Sequence, residues 1–137
     1  GRQVALIPFH GDDDAGETLA DGVFDDVCDL LKKDDKPLWG VSPLPLKADA
    51  PDSEAIARGL RMKSRFVLTG HAGKPIPGLA TVFTARLFET GKGELVWKET
   101  FETATNDAAT IAHRIADEVN RRLETVPPPP TPPTPGG

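Results

Sequence analysis

Two glycine–lysine pairs, Gly73–Lys74 and Gly91–Lys92, are the first residues whose types could do chemistry. A phosphate loop reads Gly-x-x-x-x-Gly-Lys followed by Ser or Thr, so that backbone amides wrap the phosphates and the hydroxyl reaches magnesium. For Gly91–Lys92 the first glycine would fall at Arg86 and the hydroxyl at Gly93; for Gly73–Lys74 they would fall at Leu68 and Pro75. Neither pair meets the pattern. The segment TGKG (90–93) instead separates two alternating runs, so its glycines are expected to supply positive φ in a hairpin turn.

Metal and nucleophile chemistry are equally thin. His10, His71 and His113 lie far apart, with no pair at helical or strand ligand spacing. Asp12, Asp13 and Asp14 form an acidic run that lacks the spaced oxygens and glycine of a calcium loop, and reads as a solvated helix-capping turn. The single cysteine, Cys28, excludes an intrachain disulfide and falls within a helical pattern, where Asp25 and Asp29 would raise its pKa. Ser42, Ser53 and Ser64 have neither an adjacent base nor a nucleophile-elbow motif. We expect no catalytic residue, no metal site and no cofactor. Arg114, Arg121 and Arg122, with Glu118 between them, read as a solvated, ion-paired face.

The elements that would position these residues follow from periodicity. QVALIPF (3–9) is a nearly continuous apolar run, as for a strand covered on both faces, and HGDDDAG follows as a turn. In ETLADGVFDDVCDLLKK, Leu19, Val23, Val27, Leu30 and Leu31 fall at helical spacing, with Asp21, Asp25 and Asp29 opposite. A short strand is expected around Leu38–Ser42. A second helix would start near Pro51 and turn Ala55, Ile56, Gly59 and Leu60 inward. SRFVLTGHAG is a third strand, and two strand–helix crossovers imply parallel pairing of these three. ATVFTARLFE alternates, with Thr81, Phe83, Ala85 and Leu87 on one face and Val82, Thr84, Arg86 and Phe88 on the other. ELVWKETF places Leu95, Trp97 and Phe101 together, and Glu99 at a rim. A last helix runs from about Asn106 to Glu124 on Ile111, Ile115, Val119 and Leu123. The fold class is therefore α/β, a mixed sheet in the order β-α-β-α-β-β-β-α with the helices packed on it.

With 137 residues, the chain has room for one core, placed at 1–125. Residues 126–137 hold seven of the fourteen prolines and should form a disordered, extended linker or tail. The chain opens at Gly1 without methionine and reads as a piece of a longer protein. A net charge of −5 disfavours a nucleic-acid surface, and no apolar run reaches the ~20 residues of a membrane span. Ten of the twenty-one acidic residues crowd into 12–35 against Lys32 and Lys33.

The succession VALIPF and an acidic turn, LADGVFDDVCDLL, EAIARGLRMKSRFVLTGHA, TARLFETGKGELVWKETF and a closing amphipathic helix resembles the TolB N-terminal-like domain across residues 3 to 124. That resemblance implies a domain that is not itself catalytic, within bacterial multidomain regulators. It would follow an adenylate cyclase or winged-helix domain and often precede tetratricopeptide repeats. The expected function is a protein-interaction or signal-sensing module. Binding would use the loop after the first strand (Phe9, His10, Asp12, Asp13), the acidic helix face (Asp21, Asp25, Asp29) or a sheet edge. A small-molecule or nucleotide-binding domain and a periplasmic scaffold like the smaller domain of TolB stand as alternatives. Compartment and oligomeric state stay open.

Overall fold

The protein is described here from a computed structural model, over residues 3–32, 39–47 and 49–125. The elements are β1 (Val4–Leu6), β2 (His10–Gly11), α1 (Asp14–Lys32), β3 (Trp39–Val41), α2 (Asp52–Arg61), β4 (Phe66–Gly73), β5 (Val82–Glu89), β6 (Glu94–Glu102) and α3 (Ala108–Thr125). They build one six-stranded mixed sheet in the order β3-β1-β4-β5-β6, with β2 also paired to β4. The tail at 126–137 and the start of the expected strand at Leu38 lie outside the described residues.

Both crossovers return the chain in parallel: Ala5 faces Gly40 of β3 and Val67 of β4. After β4 the chain reverses twice, giving the antiparallel β4–β5 and β5–β6 pairs. TGKG makes the last reversal. Gly93 takes φ +64°, whereas Gly91 does not have positive φ, so only one of the two glycines is required by the turn.

Alternation along the strands separates two cores. Val4, Leu6, Phe66, Leu68, Phe83, Ala85 and Leu87 face α1 and α3 in the larger one. Ala5, Ile7, Val67 and Phe88 face α2, which supplies Ala55. Phe83 and Phe88 are fully buried on opposite sides of the same strand. Each such ring contributes ~1.5–3 kcal/mol by leaving water. On α2, Ala55 and Gly59 are buried and Ile56 is half-buried, but Leu60 is 53% exposed, so the expected four-residue inward face is narrower by one. The helix is short and touches only β4 and β5 substantially, so its last turn has less sheet beneath it and the sheet beyond it stays uncovered.

The helix starts are fixed by side chains. Asp13 accepts from the Gly16 amide at 2.7 Å and Asp107 from the Thr110 amide at 2.8 Å, each satisfying an amide with no partner inside the helix. The acidic turn thus caps α1, as its composition suggests. Glu17 reaches back to the Gly11 amide at 2.8 Å.

Candidate functional site

One irregularity decides where the loop residues go. Leu6 pairs with Leu68 and His10 pairs with His71, so four steps on the first strand oppose three on β4. The surplus residue, next to Pro8, is a bulge that reverses the in–out alternation. Phe9 therefore turns into the larger core, with its ring centroid 5.0 Å from that of Phe24 and 5.4 Å from that of Phe83. It is 2% exposed and presents no side chain to a partner. His10 turns to the α2 side. Of the segment read as a plain turn, His10–Gly11 form a second short strand because the chain re-enters the sheet after the bulge, and Asp12–Asp13 then turn it into α1.

His10 and His71 then lie side by side, ring centroids 4.7 Å apart. His71 Nε2 is 2.6 Å from Asp12 Oδ1. Burial lowers the pKa of His10 and so does His71, against weaker opposing pulls from Glu17 and Asp12. The His10 Nε2 is buried and makes no hydrogen bond. Both imidazoles line a cavity of about 100 Å³ between the sheet and the start of α2, with Thr69, Thr84 and Arg86 on its sheet wall. Among the described residues no hydroxyl or thiol side chain is hydrogen-bonded to either imidazole, and no group of three or more His, Cys, Asp or Glu is placed to hold a metal.

Asp12 and Asp13 are exposed beside the start of α1, and Asp21, Asp25 and Asp29 are exposed along the helix. None of the last three forms a salt bridge with a described residue, whereas Glu54, Glu99 and Glu118 each meet an arginine. Asp21 has its pKa raised, first by slight desolvation at the helix surface and then by the charges of Glu17 and Asp25. The structure therefore brings the acidic helix face together as one like-charged stripe, with Asp12 and Asp13 near its N-terminal end and His10 turned away from it.

The arginine-rich end of α3 differs from the expected solvated face. Glu118 is 0% exposed. Arg121 contacts both of its carboxylate oxygens at 2.6 Å, Arg122 donates at 3.3 Å, and Arg114 lies at 3.4 Å. The guanidinium groups themselves reach solvent and form the lid over the carboxylate. Arg114 also pairs with Glu99 at 3.0 Å and sits over the Trp97 ring, which explains the charged interruption on β6 as a rim contact. The sequence held a usable signal: 111, 115 and 118 follow helical spacing, which sets Glu118 on the apolar flank of α3, with arginines at i−4, i+3 and i+4. Cys28 is half-buried, and burial followed by Asp25 pushes its pKa up to about 11. No helix among the described residues is long and apolar enough to cross a membrane.

No protein-family model matches the chain, and no curated protein matches it in sequence. Solved structures do match in fold. TolB from Acinetobacter baumannii superposes with a TM-score of 0.58 at 17% identity, over 93% of this chain and 29% of the TolB chain. A single-substitution variant of the PelC dodecamer from Paraburkholderia phytofirmans superposes with a TM-score of 0.50 at 14% identity, over 85% of each chain. This chain thus spans less than a third of TolB, and what the two likenesses establish is a shared TolB-like fold.

Proposed function

We propose that this domain is a non-catalytic protein-interaction module that docks a partner of complementary, basic charge. The observation that carries the reading is the exposed stripe of Asp21, Asp25 and Asp29, continued at its N-terminal end by Asp12 and Asp13. Carboxylates one turn apart repel by a few tenths of a kcal/mol per pair. Among Asp21, Asp25 and Asp29 the repulsion is relieved by no salt bridge to a described residue, and after a desolvation effect the charges of Glu17 and Asp25 add to the raised pKa of Asp21. Lys or Arg side chains of a partner would neutralise the stripe, steer association and give it strong salt dependence.

The parent we envisage is a bacterial multidomain regulator of the cyclase or transcription-regulator type, the context that the TolB N-terminal-like resemblance implies. A periplasmic envelope scaffold is the second reading, supported by the fold likeness to TolB itself. The two are separated by fusing the parent chain to a reporter enzyme active only outside the cytoplasm.

The docking reading is tested with the tagged parent chain in its own cells, cross-linked and analysed by mass spectrometry. Asp21, Asp25 and Asp29 are replaced together by Asn. The expected result is a partner linked through Lys- or Arg-rich peptides, lost in the triple variant and weakened by about 0.5 M salt. Unchanged cross-linking in a folded triple variant rejects the reading.

A further inference from the structure

We propose that the cavity on the α2 side of the sheet binds a small oxyanion, the phosphate or carboxylate group of a ligand. This goes beyond partner docking and uses a different side of the sheet. Its centre is Arg86, half-buried on β5 at the cavity wall, whose side chain has no ion pair or hydrogen bond with any described residue. Across the ladder it stands directly opposite Lys98 of β6, a like-charge pairing that costs stability unless an anion lies between or beside the two. On its other side it pairs with Thr69 of β4.

The second observation is independent of Arg86. The His10 Nε2 is buried without a partner, although its ring lines this same cavity. A buried nitrogen of this kind is stabilised by any polar atom that meets it, and an oxyanion seated in this cavity would do so. In the tautomer protonated at Nε2 it would donate to an oxyanion. The His71 Nε2 is already committed to Asp12, so His71 contributes a wall rather than a donor. Thr69 and Thr84 add hydroxyls, and Lys47 adds an ammonium group. Asp52, in the first turn of α2, is the one carboxylate in the lining, and no side chain caps that helix start.

Volume sets the class of ligand. About 100 Å³ is well above the ~10–15 Å³ that admits a water, and well below the ~300 Å³ at which pockets for drug-sized ligands begin. One phosphate or carboxylate fits; a nucleotide does not. The remainder of a larger ligand would lie over the uncovered sheet beyond α2, past Thr84 and Thr100.

The test titrates the domain with sodium phosphate, and separately with sodium acetate, at constant ionic strength while amide and imidazole NMR signals are followed. The expected result is saturable shifts confined to His10, Thr69–His71 and Arg86, including a change at the His10 Nε2. Replacing Arg86 by Gln should weaken binding at least about tenfold, the loss of one charge-assisted hydrogen bond. Thr69→Val, which keeps every charge, should weaken it by a smaller factor and serves if the Arg86 variant does not fold. Saturation by phosphate alone identifies a phosphorylated ligand, and saturation by acetate identifies a carboxylate. No saturation by either anion overturns the proposal. So does saturation that neither Arg86→Gln nor Thr69→Val alters.

Discussion

Replacing Glu118 by Gln tests how a fully covered carboxylate is held at the end of α3. The substitution keeps shape and removes one charge. The wild-type carboxylate receives close guanidinium contacts from Arg121 and longer ones from Arg122 and Arg114. A buried pair broken on one side costs ~3–5 kcal/mol, because the surviving charge is stranded. Here the survivors are arginines 41%, 64% and 35% exposed, which water can solvate once the carboxylate is gone. Solvent screening therefore moves the cost down to that of charge-assisted hydrogen bonds, about 2 kcal/mol. For a domain of this size that corresponds to a drop of roughly 6–10 °C in Tm.

The sign of the pH dependence makes the test sharper. Burial pushes the Glu118 carboxyl up, but hydrogen bonds and charge from Arg121, joined by Arg122 and Arg114, outweigh it and leave the pKa below 4.5. A depressed carboxylate pKa gives stability that is present above the unfolded value and is lost as pH falls through the folded one. Urea unfolding of wild type and Glu118→Gln should thus differ by the full amount near neutral pH. The two curves should converge below about pH 4. A difference that stays constant into acid would show that Gln perturbs packing, and a difference under ~0.5 kcal/mol at neutral pH would refute the account altogether.

Three further outcomes are expected. Replacing Gly70 by Ala would place a Cβ 2.6 Å from Phe83 Cζ and 2.7 Å from Phe9 Cγ, so thermal unfolding should show a loss of ~1–3 kcal/mol from overpacking. The His10 pKa is lowered by burial and by His71, with Glu17 and Asp12 opposing. The unfolded state therefore binds the proton more readily, and stability should fall as pH drops through 6.5; a His10→Gln variant should show a flatter urea-midpoint profile over that range. With its pKa near 11 rather than 9.0, Cys28 should react with a thiol reagent at mildly alkaline pH roughly a hundredfold more slowly than the same thiol in denaturant.

What the sequence made legible was whatever is periodic. The stripe of Val23, Val27 and Leu31 fixed the inner face of α1, and the alternation of Phe83, Ala85 and Leu87 fixed the larger core. Two crossovers were enough to imply the parallel pairing seen at Ala5. Relations between elements were not legible. The bulge at Pro8 is a mismatch of residue counts between two strands, so it exists only once their register is set, and with it goes the fate of Phe9 and His10. Asp12 and His71 meet across 59 residues, and nothing local marks either as the partner of the other. Arg86 read as one polar position in an alternating strand. Its significance comes from the short reach of α2, which leaves that part of the sheet open. That Asp21, Asp25 and Asp29 share one exposed face was legible because they belong to a single helix.

The two proposed surfaces should behave independently, for a geometric reason. The acidic stripe lies on α1, whose inner residues Val23 and Val27 pack in the larger core on one side of the sheet. The oxyanion cavity opens on the other side, beside α2 and the smaller core. Between them stands a layer of fully buried side chains, among them Leu6, Leu68 and Leu87. Effects of changes at sites without shared partners add to within about 0.3–0.5 kcal/mol. The triple Asp21, Asp25 and Asp29 to Asn variant should therefore leave the phosphate titration unchanged within roughly a factor of two. Arg86→Gln should likewise leave the salt-dependent capture of a basic partner intact. Asp12 is the exception, since it belongs to the acidic turn and also bonds His71, whose ring lines the cavity. Asp12→Asn is accordingly the single substitution expected to disturb both readouts, and an effect of Asp12→Asn no different from that of Asp25→Asn would remove the link.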